Sequence, residues 1–114
     1  MARAVTGMGI MVAAGLIAMT IVGTTLASGS DLTAERRADL MNLLIQDCGS
    51  CHGLTMKGGL GSPLLPSNLD GVDPETLAVI ILDGVPNTPM PPWRGQLTEP
   101  EAMWMAKQLK KGLE

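Results

Sequence analysis

Apolar and polar positions divide this chain into two regimes. From Ala4 to Ser30 no charged residue occurs, and the run Ile10 to Met19 is almost wholly apolar. From Asp31 onward, apolar residues recur at spacings of three and four, the period of a helix with one face against a core. Three helices are predicted there. The first spans Thr33 to Asp47, with Thr33 as N-cap and Glu35 at the positive end of the helix dipole. Its stripe is Arg37, Leu40, Met41, Leu44, Ile45 and Cys48, so it ends on a cysteine. The second spans Pro74 to Leu82, opened by Asp73 and Pro74 and stopped by Gly84. Leu77, Val79, Ile80, Ile81 and Leu82 make it apolar nearly all round, which predicts a buried helix. The third spans Glu99 to Lys111, with a capping box of Thr98 and Glu101 and a stripe of Ala102, Met105, Ala106, Leu109 and Leu113. Lys107, Lys110 and Lys111 suit its negative end, and Gly112 is the expected stop. No useful alternating pattern and no internal repeat occur, so the predicted class is all-α. The first and last helices should cross, with Leu40 or Leu44 meeting Met105, Ala106 or Leu109.

The uncharged N-terminal region is not part of that fold. Arg3, the apolar run and the small residues at Thr25-Leu26-Ala27 read as a secretory signal over residues 1–27, cleaved after Ala27. Residues 28–114 then form one domain. The alternative is a retained membrane anchor over residues 4–26, since a spanning helix needs about 20 apolar residues. Against it, Gly7, Gly9, Gly15, Gly23, Thr20, Thr24 and Thr25 dilute the hydrophobicity. Either reading exports the remainder, to the periplasm, and membrane contact is expected only if the segment is retained. No cysteine lies near the cleavage region, so a lipoprotein anchor is excluded.

Composition sharpens this. The chain has 114 residues, 8 Lys+Arg against 11 Asp+Glu, and no basic patch to hold phosphate, which argues against a nucleic-acid partner. Trp93 and Trp104 are its only aromatic residues. A small domain leans on large side chains for its core, so bulk must come from Leu, Ile, Met and a non-protein group. From Gly53 to Gly95 the chain is rich in Gly and Pro, yet helices flank this stretch. That combination fits an ordered loop wrapped around something.

Cys48-Gly49-Ser50-Cys51-His52 names the something. Cys-x-x-Cys-His is the attachment signature of a c-type haem. Two thiols three positions apart can each add to a vinyl group of one porphyrin, and the next residue offers an imidazole to the iron. Covalent linkage also lets a very small protein keep a large apolar disc. A structural zinc site needs about four protein ligands, and the chain has two Cys and one His. A thioredoxin-like dithiol expects a preceding strand and a βαβ context, which are missing. A Cys48–Cys51 disulfide would close a tiny loop and leave His52 unexplained.

A sixth ligand has to come from elsewhere, because His52 is the sole histidine. Met41 lies before the motif, Met56 is too near His52 in sequence, and Met103 and Met105 fall on the last helix, where methionine is usually core filler. Met90 lies in Thr88-Pro89-Met90-Pro91-Pro92, where flanking prolines lower the entropy of the loop before a bond forms. It is the preferred axial ligand, with an open sixth position as the alternative.

These features resemble a small class I c-type cytochrome. The carrying residues are Cys48-x-x-Cys51-His52-Gly53, the loop Gly58-Gly59-Leu60-Gly61-Ser62-Pro63-Leu64, the series Leu77, Ile81 and Gly84, and Met90-Pro91-Pro92-Trp93 before the capped last helix. The run from Asp47 to Pro66, with Ile81 to Trp93, is similar to the small periplasmic cytochromes of the NirC type. Those accompany the haem c/haem d dissimilatory nitrite reductase of denitrifying bacteria. The resemblance implies a small cytochrome c fold around one covalent haem c, and an electron carrier rather than an enzyme. Its partners would be redox proteins, nitrite reductase among them, or the machinery that makes haem d. It further implies that the Pro63 carbonyl accepts a hydrogen bond from His52, or that Pro63 only shapes the loop. Trp93 and Arg94 would hold a haem propionate, or would pack and lie in solvent respectively. Lys57 and the C-terminal lysines would guide a partner or form a solvated face. A ligand-binding or sensor haem protein is the alternative function, weakened because no second histidine remains for acid–base work.

Overall fold

A computed structural model describes residues 31–113; the expected leader, its cleavage point and the anchor alternative lie outside the described residues. Helix α1, Ala34–Leu43, starts where Thr33 accepts a hydrogen bond from the Arg36 N–H at 3.1 Å. It continues without a break into a π turn, Leu44–Cys48, and the short helix α2, Gly49–His52. The first helical region therefore runs past the predicted end at Asp47. In the π turn the Gly49 N–H reaches back five residues to the Leu44 carbonyl. Ser50 Oγ donates to the Asp47 carbonyl at 2.6 Å, giving it a side-chain partner and letting a polar Gly-Ser pair stay helical.

A 3₁₀ turn at Pro66–Asn68 precedes helix α3, Pro74–Asp83. Asp73 caps α3 by accepting from the Thr76 N–H at 2.7 Å and the Thr76 hydroxyl at 2.8 Å. Helix α4, Glu99–Lys111, carries both halves of the predicted capping box: Glu101 accepts from the Thr98 N–H at 2.8 Å, and Thr98 Oγ1 accepts from the Glu101 N–H at 3.4 Å. Among the described residues there is no strand, and no helix is long and apolar enough to cross a membrane.

α4 packs most extensively along α3 and also meets α1. Leu40 and Leu44 join Ala102, Met105, Ala106 and Leu109 in one core with Leu77, Ala78, Ile81 and Leu82. Burying a leucine of this kind contributes about 1.5–3 kcal/mol, so this cluster holds α1 to the α3–α4 pair. One charge pair follows the same seam, where Arg36 Nε donates to Glu101 Oε1. Lys110 bends back from the end of α4 and donates to the carbonyls of Leu69 at 2.8 Å and Val72 at 2.6 Å. It is therefore a tie within the fold and not part of a solvated face.

The expectation that α3 is buried holds for Leu77, Ala78, Ile81 and Leu82 and is corrected at two positions. Val79 is 53% exposed and Ile80 37% exposed. Protein neighbours cover the side of α3 toward α4, whereas Ile80 looks into a cavity that no protein side chain fills.

Candidate functional site

The cavity has a volume of about 710 Å³ and lies between the α1–α2 region, the segments that follow it, α3 and the loop after α3. Its lining brings together Cys48, Cys51, His52, Met90 and Trp93, five residues that sequence reasoning had singled out across half the chain. Most of the remaining wall is apolar, including Leu44, Leu64, Leu69, Leu77, Ile81 and Leu109.

Helical geometry delivers the first wall. Cys48 closes the π turn and Cys51 follows within α2, so both thiols reach the cavity from one short stretch of backbone. Both cysteines are half-buried and neither forms a disulfide. Burial, helped by the nearby Asp47 carboxylate, pushes the Cys48 thiol up to about 11, which keeps it protonated and uncharged in an apolar wall.

The segment after α2 folds back over His52. Gly58 N–H donates to the His52 carbonyl at 2.8 Å, and Gly61 N–H to the Cys51 carbonyl at 2.7 Å. This places the Gly61 backbone against the imidazole so closely that a Cβ there would lie 2.8 Å from His52 Cε1 and Nδ1. His52 Nδ1 lies 2.7 Å from the Ser62 carbonyl oxygen. A carbonyl only accepts, so Nδ1 carries the proton and Nε2 keeps its lone pair for a metal. The expected acceptor, the Pro63 carbonyl, is corrected to the carbonyl one residue earlier. Proline still contributes, because the Ser62 oxygen belongs to the tertiary amide that Pro63 creates, and the Pro63 ring packs near Gly58.

Met90 is brought in by the loop between α3 and Trp93. Gly84 ends α3 with φ +67, and a Cβ there would lie 2.7 Å from the Met90 carbonyl oxygen. Glycine is thus required twice over, by conformation and by the close approach of the Met90 backbone. The loop is fastened by Val85 N–H to the Met90 carbonyl at 3.2 Å and by Thr88, whose hydroxyl donates to the Val85 carbonyl at 2.7 Å and accepts from the Met90 N–H at 3.3 Å. Trp93 N–H donates to the Leu82 carbonyl at 3.0 Å, which sets the indole at the cavity wall.

Arg94 does not reach the cavity. Its guanidinium pairs with Asp83 at 2.7 Å and Glu99 at 3.4 Å, two carboxylates that compete with the propionate-holding role expected of it. Those carboxylates lie at the end of α3 and the start of α4. Lys57 is exposed and away from the cavity lining. Met41, Met56, Met103 and Met105 are likewise absent from the lining, and Met56 and Met105 are buried in the core.

Sequence reasoning missed Ser62, Thr88 and the packing role of Gly61. Thr88 had a usable signal, since a hydroxyl two residues before the methionine favours a local side-chain turn. The other two depend on how the segment folds back.

A haem fits these residues. The cavity offers two thiols, an imidazole with a free Nε2 and a thioether in an apolar chamber. Leu60, Ile80 and Val85 on its lining are 78%, 37% and 39% exposed, apolar surface that a porphyrin plane would cover. Among the described residues no group of three His, Cys, Asp or Glu side chains is arranged to hold a bare metal ion.

Comparison with known proteins points the same way. The family described as cytochrome c oxidase, cbb3-type, subunit III matches residues 33–107. Cytochrome c55X of Paracoccus denitrificans is 49% identical over 96 residues, covering 84% of this chain and 91% of its own. Cytochrome c55X of Pseudomonas aeruginosa is 52% identical over 79 residues, covering 69% and 66%. Among solved structures, the c-type cytochrome NirC superposes with TM-score 0.68 at 49% identity, covering 70% of this chain and 94% of that one. A second, dihydro-heme d1 dehydrogenase NirN in complex with DHE, gives TM-score 0.58 at 35% identity, over 62% of this chain and 15% of its own. The chain therefore belongs to the c-type cytochromes of the cytochrome c55X, or NirC-type, family: small all-α electron-transfer proteins that carry covalently bound haem c.

Proposed function

We propose that this protein is an exported one-electron carrier of the nitrite reductase system, with His52 and Met90 as the two axial ligands of its iron. The observation that carries the reading is that one apolar cavity collects the Cys48 and Cys51 thiols, the free Nε2 face of His52 and the Met90 side chain, and no other methionine of the described residues. Bound haem c supplies one-electron exchange between ferrous and ferric iron. Cys48 and Cys51 would tether the group, each by adding its S–H across a vinyl double bond with no net redox change. His52, oriented by the Ser62 carbonyl, would offer its Nε2 lone pair to the iron. Met90 would offer a weak thioether donor, which would raise the reduction potential. The walls are largely apolar, and Trp93 is part of them.

The names of the similar proteins support the partner. Likeness to NirC, and to a dehydrogenase named for dihydro-heme d1, supports a place in the nitrite reductase system, and electrons would pass to that reductase through a small, transient interface. Similarity to dihydro-heme d1 dehydrogenase, 40% over 57 residues, favours a second reading in which the chain accepts electrons during haem d1 maturation. Residues 1–27 would be the export signal, leaving residues 28–114 in the periplasm.

The test is Met90→Ala. The variant should keep its covalent haem, lose the red-edge band of thioether–iron ligation, fall in potential and bind cyanide quickly. Identical spectra and potential in the two proteins would refute the ligand assignment. Rapid mixing of the reduced protein with nitrite reductase, and separately with the dehydrogenase, decides between the two partner readings by which one exchanges electrons at a useful rate.

A further inference from the structure

The loop that carries Met90 has a neck, and one arginine spans it. Asp83 is the last residue of α3, and Arg94 follows Trp93 on the returning strand of the loop. Arg94 Nε donates to Asp83 Oδ1 at 2.8 Å and Nη2 approaches the same oxygen at 2.7 Å. Its Nη1 donates to Glu99 Oε1 at 3.4 Å, at the first residue of α4. Main-chain bonds from Trp93 and Arg94 to the Leu82 carbonyl also close the neck, but these are open to many side chains, whereas the charge contact is particular to Arg94.

Inside the neck the loop's own fastenings all run among Val85, Thr88 and Met90. Pro86, Pro89, Pro91 and Pro92 have no N–H to donate, and the Met90 N–H makes only the long contact to Thr88. An outside clasp therefore matters more here than in a loop with a full set of main-chain bonds.

We propose that Arg94, with Asp83 and Glu99, is a latch that holds the Met90 loop closed and so sets how often the sixth iron position opens. The proposal rests on the reading of Met90 as axial ligand and adds its control. Arg94 is a positioning residue: it does not line the cavity, and acts by joining the two stems of the loop. Its guanidinium and the Asp83 carboxylate are each half exposed, so the latch is modest, worth about a three- to fivefold change in the opening equilibrium. Salt should weaken it.

The test uses the ferric holoprotein and external imidazole, which traps the open form. Arg94→Met and Asp83→Asn should each raise the imidazole-binding rate about three- to fivefold at low salt, the double variant no further, and Arg94→Lys should fall between. Raising the ionic strength from about 0.05 M to about 1 M should speed the wild type toward Arg94→Met and leave that variant unmoved. Arg36→Met, which breaks the α1–α4 ion pair far from the loop, should leave the rate alone. An unchanged rate in Arg94→Met, while Met90→Ala binds imidazole fast, overturns the latch and leaves the ligand assignment standing. An equal rise with Arg36→Met overturns it too, since the effect is then general loosening. A wild type that binds imidazole as fast as Met90→Ala overturns both readings.

Discussion

Gly61→Ala tests whether the backbone after the attachment motif supports the proximal imidazole. The added Cβ would lie 2.8 Å from His52 Cε1 and Nδ1 and 3.2 Å from Nε2, where packed carbon atoms normally keep about 3.5–4.0 Å. Neither side can yield cheaply. The Gly61 N–H is held by the Cys51 carbonyl at 2.7 Å and its carbonyl by the Gly59 N–H at 3.0 Å, while the imidazole is held by Ser62 at 2.7 Å. Overpacking of this kind costs about 1–3 kcal/mol. Gly61 does not adopt a left-handed φ, so alanine recovers about 0.4–1 kcal/mol by restricting the unfolded chain. The net expectation is a loss of about 1–2 kcal/mol. In a domain this small that lowers the melting temperature by roughly 4–15 °C. Gly95→Ala is the control: nothing lies within 4 Å of its added Cβ, so it should leave stability unchanged or raise it by up to about 1 kcal/mol. The assay is thermal unfolding of the holoprotein followed in the Soret band, with the spectrum of the folded variant reporting any tilt of the imidazole. Equal stability of Gly61→Ala and wild type, or equal losses at both glycines, would refute the reasoning.

Three further outcomes are expected. Leu44→Ala removes a fully buried side chain from the seam between α1 and α4 and should cost about 2–5 kcal/mol in denaturant unfolding. Arg36, and then the Thr98 N–H, hold the Glu101 carboxyl below its ordinary value against the opposing effect of burial. The stability this lends is present above the unfolded carboxyl value and lost as pH falls through the lower folded one, so an acid titration should be steeper for wild type than for Glu101→Gln, with the gap between them closing in acid. Acid–acetone should fail to extract haem from the wild type or from Cys51→Ala, which keeps one thioether, and should extract it from a chain lacking both cysteines.

Much of this molecule is readable along the chain because its signals are local. The caps at Thr33, Asp73 and Thr98 act over three residues, and all three are realised. The stripe of α4 buries the predicted Ala102, Met105, Ala106 and Leu109. The attachment motif is contiguous, so its two thiols and imidazole could be assigned without knowing the fold. Met90 was reached by elimination and by its prolines, and the cavity collects it with the motif. Errors arose where an assignment depended on neighbours distant in sequence. The expectation for Arg94, an anion holder beside the ligand loop, left out two carboxylates from different helices that pair with it. Val79 and Ile80 looked like core because apolarity says that a side chain prefers burial and not what will cover it.

Local sequence thus determined the helices, their N-caps, the cofactor chemistry and the identity of the ligands to be tested. Tertiary structure decided which carbonyl orients His52, which side of α3 faces protein and which faces the cavity, and what Arg94 grips. The division has a physical cause. Capping, helical period and thiol spacing act within one or two turns of chain, where the order of residues specifies the geometry. The Ser62 contact, the Gly61 approach and the Arg94 latch arise only after the chain has folded back on itself, and one residue of shift in a loop changes the partner.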